Sequence, residues 1–119
     1  MDHNRVLIVS DSPDRRNFLQ YHIRSQNLSP IWYPNIISAR KAVRSDLFSL
    51  VVVDLSLPID QKLTLVQEAC RYRPEVKTIT IGKMEYLAET GAFSSLSTVV
   101  SLDSIDLFPD TLAEYCHHL

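Results

Sequence analysis

The chain has 119 residues, 45% apolar and 22% charged, a formal net charge of −2 and two glycines. Those proportions exclude disorder and a fibrous repeat, and no apolar run approaches the roughly 18 to 20 residues of a membrane span. The length suits a single domain, taken as residues 1–119, with enough chain to bury a core and a cytoplasmic location as the default expectation. Gly82 and Gly91 lie too far apart to write GxxxxGK[ST] or GxGxxG. Phosphate cradles of those kinds are therefore excluded, because their backbone meets the anion only where Cβ atoms are missing. Cys70 and Cys116 show no metal-ligand spacing and fall among periodic apolar residues, so they read as buried free thiols.

The first strand is Arg5–Val9, whose Val6-Leu7-Ile8-Val9 is continuously apolar. Ser12-Pro13 then supplies an N-cap and a first-turn proline for a helix carrying Phe18, Leu19, His22 and Ile23 on one face. A weaker strand follows at residues 30–33, and a helix over 35–45 turns Ile36, Ala39, Ala42 and Val43 inward. Residues 50–54 form the next strand, again apolar without alternation, followed by a helix over 63–72 with Leu63, Val66, Ala69 and Cys70 as its stripe. A strand at 78–81, a short helix at 84–90, a strand at 98–102 and a final helix from near Pro109 complete the order. Continuous apolar strands are covered on both faces, and alternation with helices gives right-handed crossovers. The expected fold is α/β, a doubly wound five-stranded parallel sheet of flavodoxin-like type with strand order 2-1-3-4-5.

In that architecture sites form at the carboxyl ends of the strands. Asp11 follows strand 1 and Asp54 ends strand 3, so neighbouring tips place two carboxylates on one rim, within reach of a shared hard cation such as Mg²⁺. The strings Val6-Leu7-Ile8-Val9-Ser10-Asp11-Ser12, Val51-Val52-Val53-Asp54-Leu55-Ser56-Leu57-Pro58 and Gly91-Ala92 resemble the receiver domain of two-component response regulators. The resemblance covers essentially the whole chain, and Asp-x-x-x-Pro after strand 3 is its most specific part. It implies that Asp54 is the candidate phosphoacceptor. It also implies that Asp11 is the second member of a Mg²⁺-holding acidic pair and that the backbone carbonyl of Ser56 is a third metal ligand.

Three positions depart from the family pattern. Ser10 stands where the first acidic residue belongs, Gly82 where a Ser/Thr hydroxyl would bond the phosphoryl group, and residues 98–103 hold no lysine, with Leu102 aligned to that site. Phosphoryl transfer is catalysed by positioning and charge stabilisation, so these losses weaken both the metal and the switch. The resemblance is thus to an atypical receiver, or pseudo-receiver, with weak or absent Mg²⁺ binding and no enzymatic activity. Lys83, one residue past Gly82, either folds over the pocket to pair with Asp54 or Asp11 or is a solvated loop lysine. A phosphorylation-competent receiver and a small flavodoxin-like FMN binder are the rival readings. The second is disfavoured because Asp11 and Asp14 put carboxylates where a phosphate needs amide donors.

All 12 Lys/Arg fall within residues 1–83, whereas residues 84–119 carry only acids: Glu85, Glu89, Asp103, Asp106, Asp110 and Glu114. A face of one sign cannot make the reciprocal salt bridges of a symmetric dimer and would steer a basic partner surface. The expected partner is a protein, either a histidine kinase or a basic effector. Nucleic acid finds no support, since the basic residues are spread over two helices without interleaved aromatics; neither does a membrane. A partner bound through the acidic segment is expected to lose affinity as salt rises; titration at two ionic strengths checks this, and a salt-independent affinity would contradict it.

Overall fold

The computed structural model describes residues 4–54, 58–83 and 97–117. Val6 to Val9 and Leu50 to Val53 are almost completely inaccessible to solvent on both faces, which a strand achieves only in the interior of a covered sheet. They form β1 (Arg5–Val9) and β3 (Leu50–Val53), flanked by β2 (Ser29–Tyr33), β4 (Lys77–Gly82) and β5 (Thr98–Ser101). All pairings are parallel and the order is β2-β1-β3-β4-β5, as the sequence predicts. The helices are α1 (Pro13–Ser25), α2 (Ile36–Ser45), α3 (Ile59–Tyr72) and α4 (Phe108–His117).

Alternate residues of each strand enter separate cores. Leu7, Val9, Val51 and Val53 pack on Ala39, Ala42 and Val43 of α2 and on Leu65, Val66 and Ala69 of α3. Val6, Ile8, Leu50, Val52, Ile79, Ile81 and Val100 pack on Leu19 and Ile23 of α1 and on Phe108 and Leu112 of α4. Two helix starts follow their capping chemistry: Ser12 Oγ accepts from Arg15 N and Asn35 Oδ1 from Ser38 N. Helix α1 ends on Asn27 at φ 62°, where Leu28 N bonds Ile23 O and turns the chain into β2. Among the described residues no helix is long and apolar enough to cross a membrane.

Several details differ from the sequence expectations. Helix α3 begins at Ile59 rather than 63, because its first turn contains Asp60, Gln61 and Lys62 and so lacks an apolar stripe. Strands β3 and β5 each end one residue early, and a 3-10 segment, Leu102–Leu107, leads into α4 at Phe108. Cys70 and Cys116 are free but half-buried at the core margins rather than fully buried, and burial still pushes both thiols up. The helix expected at 84–90 and the Gly91-Ala92 pair lie outside the described residues.

Phe108 is fully buried while its neighbour Leu107 is 51% exposed. Phe108→Ala is expected to lower the unfolding free energy by about 3–5 kcal/mol, whereas Leu107→Ala stays within about 0.5 kcal/mol. Urea midpoints at unchanged slope check the contrast.

Candidate functional site

The sheet order places the tips of β1 and β3 side by side, with α1 and α3 the next described helices along the chain from them. Asp54 follows β3, its amide donating to Val9 O at 3.0 Å, and its side chain is completely buried. A buried carboxylate needs partners, since desolvation costs several kcal/mol. Two come from the β1–α1 junction. Arg15 Nε donates to both oxygens, at 2.8 Å to Oδ1 and 3.1 Å to Oδ2. The Ser10 hydroxyl donates to Oδ2.

Local sequence explains why these groups arrive there. The Ser12 cap and Pro13 start α1 within three residues of the β1 tip, so Arg15 projects from the first turn over the neighbouring strand end. A cation at a helix N-terminus opposes the helix dipole, so Arg15 depends on Asp54 to be stable in that place. Ser10 is held from several sides: its amide donates to Tyr33 O at 3.2 Å, its Oγ accepts from Ser12 N at 3.2 Å, and its carbonyl accepts from Trp32 Nε1 at 2.7 Å. Trp32 in turn lies under the Arg16 guanidinium, 4.4 Å from the ring centroid.

A second cation comes from the opposite side. Lys62, in the first turns of α3, is 3% exposed and its Nζ donates to Ile81 O at 3.0 Å, near the end of β4. Burial pulls its pKa from 10.5 down to about 8, while Asp54 opposes that fall and Arg15 adds to it. The Lys62 charge therefore acts on the same pocket as Asp54 and Arg15. Neither Arg15 nor Lys62 was among the residues expected from the sequence. The signal was available for Lys62: it extends the stripe Leu65, Val66, Ala69 by one turn, a charge where an apolar residue is expected.

The other expected residues are placed as follows. Asp11 is exposed, beside Ser10 in the chain but outside the buried pair. Ser56 lies outside the described residues. Gly82 closes β4 opposite Ser101 and has no positive φ, so the backbone does not require glycine there and the missing hydroxyl is a choice of side chain. Lys83 is exposed and, among the described residues, makes no ion pair with Asp54 or Asp11, which matches a solvated loop lysine. A cleft of about 690 Å³ opens at the amino-terminal edge of the sheet, lined by Phe48, Arg73, Lys77 and Tyr115 among others, and includes none of the residues at the β3 tip.

The donor set around Asp54 does not fit a divalent cation. Both carboxylate oxygens are occupied by Arg15 and one also by Ser10. At the first position of the acidic pair the chain offers a neutral hydroxyl, Ser10, while Asp11 stands exposed outside the buried pair. Mg²⁺ requires oxygen ligands in near-ideal octahedral geometry. Among the described residues no group of three or more His, Cys, Asp or Glu converges anywhere.

A lysine with its folded-state pKa lowered to about 8 binds fewer protons than in the unfolded chain between that pH and 10.5. Its burial therefore destabilises the fold below pH 8, and the penalty is relieved as pH rises. Stability of the wild type relative to Lys62→Met is expected to increase by up to about 3 kcal/mol across that window. Urea unfolding of both proteins from pH 7 to 10.5 measures the difference; a flat difference would show that Lys62 titrates normally.

No protein-family model and no curated protein matches the chain. Solved structures do. A CheY-like response regulator receiver domain protein from Methanospirillum hungatei JF-1 superposes at TM-score 0.73 and 17% identity, covering 94% of this chain and 95% of that one. The response regulator TrrA from Thermotoga maritima, in complex with Mg²⁺ and BeF, matches at 0.73 and 20% identity, with 92% and 97% covered. A structure of histidine kinase ThkA in complex with TrrA matches at 0.70 and 19%, again covering 92% and 97%. The chain has the CheY-like receiver fold, with Asp54 at the carboxyl end of its third strand.

Proposed function

We propose that this chain is a receiver-like signal-transduction domain that regulates partners by protein–protein contacts. Asp54 is its candidate phosphoacceptor, and its phosphorylation switch is degraded at Ser10, Gly82 and the strand-5 lysine position. The observation that carries this reading is the closure of Asp54. A phosphoacceptor needs a carboxylate oxygen open to an incoming phosphoryl group, with cationic charge ready to offset the phosphate. Here the carboxylate is inaccessible, and its oxygens hold Arg15 and Ser10. Position 82 supplies no hydroxyl to draw β4 toward a phosphoryl group, which leaves the usual conformational response without its lever.

The activity is that of a non-enzymatic module, placed in the cytoplasm. A histidine kinase is one class of partner, in line with the kinase complex of TrrA. A basic effector surface is the other, facing the exposed acids Asp103, Asp106, Asp110 and Glu114. Nucleic acid and membrane are not among the proposed partners.

Amide NMR during titration with Mg²⁺ and beryllofluoride tests the reading. The resonances of Val53 and Asp54 are expected to show no saturable shift in the wild type. Saturable shifts that vanish in Asp54→Asn would instead establish a working phosphoryl switch.

A further inference from the structure

The acid at the tip of β3 already has its counter-charge. We infer that the Arg15 guanidinium is the resident counter-ion of Asp54, occupying the charge position a divalent cation would otherwise take, so that the domain leaves Mg²⁺ unbound at this rim and Arg15 decides that outcome. The inference rests on the β3 rim being the functional site and deepens that reading by naming what controls its ligand class.

Four observations converge. Arg15 Nε is shared between the two carboxylate oxygens, so a metal approaching either oxygen meets the guanidinium charge. The Ser10 hydroxyl donates to Oδ2, where a metal ligand would need an open lone pair. The buried Lys62 ammonium, bonded to the Ile81 carbonyl on the strand beside β3, adds a second positive charge near this edge, and like charges repel. Arg15 sits against its own helix dipole, an arrangement that persists through its ion pair with Asp54. Replacing a diffusible ion by a tethered guanidinium makes the charge on Asp54 a constant of the fold instead of a function of metal concentration.

The chain carries its own reporter. Trp32 is its one tryptophan, and its indole donates to the carbonyl of Ser10, so fluorescence reads displacement at the pocket wall. The experiment titrates the whole chain with Mg²⁺ followed by Trp32 fluorescence, and with Mn²⁺ followed by paramagnetic broadening of the Val53 and Asp54 amides. Wild type, Arg15→Ala and Ser10→Asp/Arg15→Ala are compared; Arg15→Gln, which keeps a polar side chain without the charge, serves if Arg15→Ala does not fold. The expected result is no saturable response in the wild type, and in the double variant binding tighter by about tenfold or more, abolished by adding Asp54→Asn. Saturable broadening at Asp54 in the wild type overturns the inference. So does an absence of binding in every folded variant lacking the Arg15 charge.

No phosphoryl mimic is present in these titrations, which separates this outcome from the proposed function. A domain that responds to beryllofluoride with Mg²⁺ removed, yet ignores Mn²⁺, would overturn the degraded-switch reading and keep this one.

Discussion

Asp54 has no access to water, and everything around the β3 tip follows from the need to compensate that charge. An isolated carboxylate in such a place is strongly unfavourable, and removing one partner of a buried pair is more damaging than replacing the pair by apolar groups. The compensation is local and short-range: Arg15 from the start of α1 and the hydroxyl of Ser10 from the end of β1. Because these groups come from one strand–helix junction, the pair ties β1 to β3 at the carboxyl edge of the sheet. The ladder that continues to β2 is fixed at the same corner through Ser10, Tyr33 and Trp32.

Lys62 extends that constraint to β4. Its side chain is buried and its ammonium bonds the Ile81 carbonyl, so the charge is held in place by geometry. The pocket therefore joins three neighbouring strand ends by electrostatics: β1 through Ser10, β3 through Asp54 and β4 through the Ile81 carbonyl.

Most of the fold was legible because the sheet is covered on both sides. Continuous runs such as Val6-Leu7-Ile8-Val9 have no polar face to hide, which distinguishes parallel interior strands from amphipathic ones without any knowledge of contacts. Asp54 was legible for the same reason: it is the first charge after a fully apolar strand. The start of α3 was not, because its opening turn satisfies no periodicity, so the apolar stripe from Leu63 points to a helix that begins after Lys62. Arg15 was legible only as a basic residue in a first turn. Which carboxylate it would meet depends on the pairing of β1 with β3, a contact between residues 39 positions apart.

The sequence by itself determined the alternation of strands and helices, the parallel order of the sheet, the placing of Asp54 at a strand tip and the absence of a hydroxyl at 82 and of a lysine at the end of strand 5. These are properties of local pattern and residue identity. Tertiary structure alone decided where Arg15 and Lys62 place their charges. A guanidinium and an ammonium can reach several positions from their helices, and only the packing of α1 and α3 against neighbouring strands brings Arg15 to the buried carboxylate and Lys62 to the Ile81 carbonyl while leaving Asp11 and Lys83 exposed.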